Sequence, residues 1–445
     1  MGEAKKGSFP VGFDSNLRLE FHGAKVTSDA GLLAYRELDD VFGLTEIAAD
    51  HLIDPRTGNN KQHTMRALLR QAVLGRLAGY EDTNDADRLR FDPAMRHVVG
   101  GRAKEKLGAS TSEMSRFETD ILTRFGNLDT LMDISGWWVD HVRDSLGMTE
   151  VILDMDSSES PTHGNQEGSA FNGYFGCTCY HPLFLFNQFG DVERSLLREG
   201  NVHSAHDWLK VLEPVVARYR AMEGQKYFRG DAAFAILELL KFLEAESYLY
   251  AIRIPLNNVL QEHIGHLMTR PVGRPSYAPK VLYHSFEYMA QTWDKPRRVV
   301  AKVTWYYDEL IPDVRFIITN LRRCPKNVVS FYNKRGTAEQ WIKEGKYALN
   351  WTRLSCHDFK DNQVRLQLFG LAYNLGNFLR TLALPRKVAD WSLTTLREKL
   401  IKIGAKVIRH AGYVVFQMAE VAVPRKLFSA ILERIARLRL VMDTG

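Results

Sequence analysis

The chain has 445 residues, 45% of them hydrophobic and 25% charged, a balance that excludes a disordered or collagen-like polypeptide and leaves enough apolar surface for more than one core. No apolar run reaches the ~18–20 residues of a membrane span, the opening MGEAKKGSFP leads into no apolar signal segment, and Cys177, Cys179, Cys324 and Cys356 are too few for a disulfide scaffold. A cytoplasmic protein with structural thiols is the expectation. Charge is unevenly placed: residues 321–445 hold 23 Lys and Arg against 9 Asp and Glu, a balance of +14, whereas residues 1–320 carry −8. A basic third on an acidic chain suggests a polyanion such as nucleic acid, with solvated basic helix faces as the plain alternative.

Residues 28–150 read as helical. Thr27, Ser28 and Asp29 supply capping side chains ahead of LLAYRELDDVFGL, Thr64 precedes MRALLRQAVLGRLAGY, and Ser110 opens a helix after a loop carrying Arg102, Lys104 and Lys106. From 151 the pattern turns to strands: Val151–Asp156, an aromatic stretch over 172–187, Arg194–Arg198, then a helix over Ala205–Met222 and a strand over Lys226–Asp231. Strands, a helix and a further strand predict a mixed α/β sheet. Tyr250–Pro255, Tyr283–Tyr288, Arg298–Tyr307 and Val314–Thr319 are β-branched and aromatic, separated by Pro-containing loops, and read as a mainly β insertion. Helices return after about Asn327, over Ala338–Leu349, Asn362–Leu384, Thr394–Ile403 and Pro424–Leu440.

Alternate residues of a strand share a face, so Asp154 and Asp156 point one way with Val151, Leu153 and Met155 opposite, and Arg229 and Asp231 share a face of the later strand. Acids at the ends of apolar strands are costly unless cations or hydrogen bonds satisfy them, and strand ends are where α/β proteins build sites. Tyr332, Arg335, Glu339 and Lys346 fall within about 60° of one helix face at 100° per residue, which is also what a solvent-exposed stripe with an Arg335–Glu339 pair would give. Gly336 and Gly345 weaken the regularity of that helix. His203 and His206 have metal-ligand spacing without a third ligand and read as a polar helix cap or loop.

The spacing Tyr332-x2-Arg335-x3-Glu339-x6-Lys346 resembles the Tyr-Arg-Glu-Lys signature of bacterial insertion-sequence DDE transposases. The stretches DMDSSESPTHGNQEGSAFNGY, LREGNVHSAHD and YFRGDAAF are similar to that family's motifs, and Glu339 follows Asp231 by 108 positions of β-like sequence. The resemblance implies an RNase H-like α/β core with a mainly β insertion. It divides the chain into a helical N-terminal DNA-binding domain (1–150), the first part of the core (151–250), the insertion (251–320), the rest of the core with the Glu helix (321–385) and a basic helical C-terminal region (386–445). It implies Asp156, Asp231 and Glu339 as catalytic and metal-holding acids, with Asp154 the alternative to Asp156, and Tyr332, Arg335 and Lys346 as contacts to DNA phosphates. The resemblance also raises stacking of Trp293 or Trp305 of the insertion on an extruded base, although for each ring taken singly a place in a β core is the plainer reading.

That chemistry is in-line displacement at phosphorus, for which two Mg2+ ions, with Mn2+ as a substitute, suit a carboxylate donor set. Arg335 would fork onto a phosphate and Lys346 supply a point charge. The implied partners are double-stranded DNA, as terminal inverted repeats and target, and a second copy of the chain in a nucleoid-associated dimer, with no membrane. Cut-and-paste movement of an insertion sequence is the leading reading. A structure-specific nuclease and a catalytically inert DNA-binding protein derived from a transposase stay open.

Overall fold

The computed structural model describes residues 8–11, 13–20, 23–57, 61–144, 147–271, 277–410, 412–420 and 423–444. Eight strands form the main sheet: β1 (Glu150–Ser157), β2 (Leu183–Phe186), β3 (Val192–Leu196), β4 (Gln225–Gly230), β5 (Leu249–Ile254), β6 (Lys280–Tyr288), β7 (Arg297–Trp305) and β8 (Asp313–Thr319), in the order β6-β7-β8-β5-β4-β1-β2-β3. Only the β1–β4 and β4–β5 pairs are parallel. A parallel pair needs a crossover, and helices over Trp208–Arg218 and Leu237–Ala245 lie on the connections leading into β4 and β5. The strands β6 to β8, which lie within the β-rich stretch predicted over 251–320, join the main sheet. Through the antiparallel β5–β8 pairing they are the outer part of the same sheet.

The strand alternation falls as the sequence predicts. Val151, Leu153 and Met155 pack with Leu183, Leu185, Phe228 and Ile252 against the helices over 208–218 and 237–245. Ile152, Tyr227, Ala251 and Ile317 face the other way, toward Val328, Val329 and Phe331 of the helix over Pro325–Asn333. Asp154 and Arg229 share this second face at directly opposed positions of β1 and β4.

Beyond β3 lies a helical layer built on Phe359–Phe378, a helix buried along almost its whole length. Its two flanks meet Met65–Leu77 and Asn127–Asp144, and its residues share one core with Phe184, Phe186 and Val192 of the sheet. Arg143 grips Asp191 through two hydrogen bonds of 2.8 and 2.9 Å, and Asn377 donates to the same carboxylate at 2.6 Å. This buried cluster joins the helical layer to the sheet.

Several boundaries differ from expectation for local reasons. Thr64 and Ser110 cap their helices by accepting from the backbone N–H of Ala67 and Glu113, but the first long helix runs over Leu32–Phe42 behind Gly31, with no side-chain cap. Thr27 instead accepts from the Asp29 backbone N–H. The helix expected from Ala205 starts at Trp208, because Asp207 takes a left-handed conformation (φ 57°). The C-terminal region is not helical throughout: Ala405–His410 and Tyr413–Met418 form a hairpin paired to Lys25–Thr27, followed by a helix over Arg425–Thr444. The four cysteines are free thiols. No helix among the described residues is long and apolar enough to cross a membrane.

Candidate active site

Two parallel strands lying side by side end at the same edge of a sheet, so acids at both ends meet. The β1–β4 register runs to Met155 opposite Gly230, which brings Asp156 and Asp231, the next residue of each chain segment, to adjacent positions. Asp156 keeps one oxygen on the Ser157 backbone N–H at 3.0 Å. Asp231 stands at the head of a single helical turn, Ala232–Phe234, and accepts from the Ala233 N–H at 2.9 Å. These caps fix the carboxylates without consuming all their lone pairs.

The third acid arrives on a broken helix. Pro325–Asn333 stops, Lys334 and Arg335 form the joint, and a new helix runs over Gly336–Glu344 before a wider turn at Gly345–Leu349. The helix whose regularity Gly336 and Gly345 put in question is interrupted, yet Tyr332, Arg335, Glu339 and Lys346 all line one cleft with Asp156 and Asp231. Gly345 permits the last turn because a side chain there would strike the Trp351 ring, with a Cβ placed 2.2 Å from it.

Arg335 organises the centre. Its guanidinium donates to Asp156 at 3.0 Å and to Glu339 at 3.0 Å, spanning two of the three acids. Burial pushes the Asp156 carboxyl up to about 6; Arg335 pulls it down and the neighbouring Asp231 charge pushes it further up. Burial would weaken the Arg335 cation, but facing Asp156, Tyr332, Asp231 and Glu339 hold it firmly protonated. Tyr332 is raised above its ordinary value chiefly by burial. Lys346 donates to Glu159 at 2.6 Å. Burial works against the Glu159 charge, and this ammonium reverses the balance and holds the carboxyl below its usual range.

Asp154 is in a different position from Asp156. It is fully buried and gripped by Arg229, Nε to Oδ1 at 2.7 Å and Nη2 to Oδ2 at 2.6 Å, and it does not line the cleft. For Trp293 and Trp305 the sequence left open a stacking surface or a place in a β core. Both are buried: Trp293 packs edge-on to Tyr288 beneath Arg297, and Trp305 donates its indole N–H to the Leu267 carbonyl at 3.3 Å. Their rings belong to the apolar core. His203 lines the cleft and accepts from the Ala205 N–H, whereas His206 faces Asp207.

Sequence reasoning missed His181, Glu159 and Arg253, which complete the cleft of about 1060 Å3. His181 Nδ1 donates to the Val202 carbonyl and Nε2 accepts from Ser157, while burial and then Arg198 lower its pKa to about 4, so the ring is neutral. A neutral ring bonded at both nitrogens braces the residue after Asp156. Nothing in the local sequence marks it, since its partners are 21 and 24 positions away.

The donors are all hard carboxylate oxygens, the class that divalent cations of the Mg2+ type prefer. Among the described residues no three His, Cys, Asp or Glu side chains converge tightly enough to cage an ion.

A sequence model of the family described as transposase DDE domain group 1 matches residues 9–440. The chain belongs to this family. The match spans almost the whole polypeptide, so sheet and helical layer together lie within the family's domain, and a transposase acts on DNA. No curated protein matches the chain. In this transposase the mixed α/β sheet is thus the framework that delivers the acidic cleft.

Proposed function

We propose that the chain catalyses cut-and-paste movement of a bacterial insertion sequence, with Asp156, Asp231 and Glu339 as the cutting centre of an RNase H-like core. The observation that carries this reading is the juxtaposition of Asp156 and Asp231 at adjacent parallel strand ends, with Glu339 linked to Asp156 through Arg335. The strand order β3-β2-β1-β4-β5, with β4 parallel to both neighbours, supports the RNase H-like assignment. Asp156 is preferred to Asp154 because both oxygens of Asp154 are already committed to Arg229.

Asp156, Asp231 and Glu339 would hold divalent ions, two Mg2+ or Mn2+, which when bound supply charge stabilisation for in-line displacement at phosphorus. The chain's own residues do the rest. Arg335 and Lys346, now on carboxylates, would transfer to phosphate oxygens of a docked strand. Tyr332 would offer its hydroxyl to the same phosphate. At pH 7–8 Asp156 is ionised, since its carboxyl titrates near 6. Water attacking the terminal phosphodiester would break its P–O3′ bond, freeing a 3′-hydroxyl and leaving a 5′-phosphate; that hydroxyl would then attack a phosphorus of the second strand or of target DNA, breaking the P–O3′ bond there and releasing that strand's own 3′-hydroxyl.

A second cleft, about 830 Å3, supports a DNA-binding role for residues 1–150. It is lined by Arg56, Lys61, Arg90, Arg102, Lys106, Arg116 and Arg124 against only Glu113 and Asp120 among acids. Such a balance suits a phosphate backbone. Two DNA ends would call for a dimer. Incubating the protein with Mg2+ and duplex DNA spanning both boundaries of its coding segment tests the reading: cleavage with joined products supports it, cleavage without joining supports a nuclease, and a gel shift alone supports an inert binder.

A further inference from the structure

We infer that Arg229 is a positioning residue of the cleavage reaction, one buried guanidinium that sets the three acid-bearing segments in register. It does so through all three of its faces. Nε and Nη2 fork onto Asp154 at 2.7 and 2.6 Å, and Nη1 donates to the Phe331 carbonyl at 2.9 Å. Asp154 lies two residues before Asp156 on β1, Arg229 itself two before Asp231 on β4, and Phe331 directly before Tyr332, four residues from Arg335 and eight from Glu339. Each bond therefore lies one strand pleat or one helical turn behind a residue of the cleft.

The Phe331 carbonyl needs this donor because the helix breaks just after it. The Arg335 N–H bonds back to Tyr332 rather than Phe331, leaving the Phe331 oxygen among the orphan acceptors of a helix end. Arg229 fills that vacancy and also sits 5.1 Å over the Phe331 ring.

Stability does not explain the arrangement. Arg229 is 3% and Asp154 0% exposed, and apolar residues of like volume usually serve a buried pair's place as well or better. What apolar residues cannot do is bond two strands and a helix end at one point. Holding a reacting constellation within a fraction of an ångström is worth about 10^2-fold in rate, and partners behind metal ligands are worth about 10–100-fold in metal affinity.

The inference rests on Asp156, Asp231 and Glu339 being the cutting centre, and the test separates the two. The double variant Asp154→Leu/Arg229→Met replaces the pair by apolar side chains. It should melt at or above the parent temperature, cleave coding-segment boundary DNA with kcat reduced about 100-fold and KM within about 3-fold, and bind Mn2+ in titration calorimetry about 10-fold more weakly. Arg229→Lys, which keeps the charge but not the fork, should fall between parent and double variant in kcat and Mn2+ affinity, and serves alone if the double variant does not fold. Parent-like kcat and Mn2+ binding in a folded variant of either kind overturns the inference. Asp156→Asn and Asp231→Asn are run in parallel: if those two still cleave, the cutting-centre reading has failed, whereas dead Asn variants beside an active double variant reject the positioning role alone.

Discussion

Replacing Asp156 by Asn removes a charge that the fold holds at a cost. An aspartate with an ordinary value of 3.8 is pushed up to about 6 at this strand end, and at ~1.4 kcal/mol per pH unit that displacement amounts to about 3 kcal/mol of folded-state destabilisation once the group is ionised. Asn resembles the protonated acid, so the variant should be more stable than the parent by about that amount at pH 8, a rise of at least a few degrees in melting temperature. The sign follows from the raised pKa. Below about 4 the carboxyl is protonated folded or unfolded and the difference vanishes; it grows as pH rises toward 6 and is complete above. The assay is thermal or urea unfolding of both proteins in EDTA at several pH values from 4.5 to 8, with DNA cleavage measured alongside. A variant that gains no stability at pH 8, or gains the same amount at every pH, would refute the reasoning that burial at this site opposes the charge.

Three further outcomes are expected. Glu339→Gln should abolish cleavage in the boundary-DNA assay while changing stability by less than about 0.5 kcal/mol, because an exposed i,i+4 pair with Arg335 contributes little. Lys346→Met should weaken DNA binding and reduce the slope of log affinity against log salt by about 1, read by fluorescence anisotropy across a salt series. Trp293→Ala and Trp305→Ala should each destabilise the fold by about 3–5 kcal/mol as core truncations, with cleavage products per folded molecule unchanged; a selective loss of one DNA intermediate without loss of stability would restore the stacking role.

How much of this was legible beforehand follows from which signals are local. The alternation in residues 151–156 predicted the two faces of β1 because it depends on short-range periodicity, whereas the clustering of Tyr332, Arg335, Glu339 and Lys346 fitted an exposed stripe equally well, and only their resemblance to a family signature marked them as site residues. Gly336 hinted at an irregular helix but did not place the break at Lys334 and Arg335, because the joint is held by contacts from Asp156 and Arg229 that lie more than a hundred positions away. Gly345 reads as a helix breaker, whereas its purpose is to admit Trp351. The union of β6–β8 with the main sheet was hidden for the same reason, since strand sequence announces a strand and not its neighbour. His181 and Glu159 carried no pattern at all. For the two tryptophans the sequence left a core and a DNA surface both open, because an aromatic in a β-rich segment looks alike in either place, and burial puts both rings in the core.

The route of the chain between its second and third acids also orders events during synthesis. On the proposed assignment, a ribosome releases Asp156 and Asp231 long before Glu339, and β5 to β8 must emerge and pair in the interval. A nascent or prematurely terminated polypeptide ending before Glu339 carries an incomplete acid set. On that assignment, cutting of the DNA that encodes the chain waits until Glu339, about three-quarters of the way along the sequence, has been made.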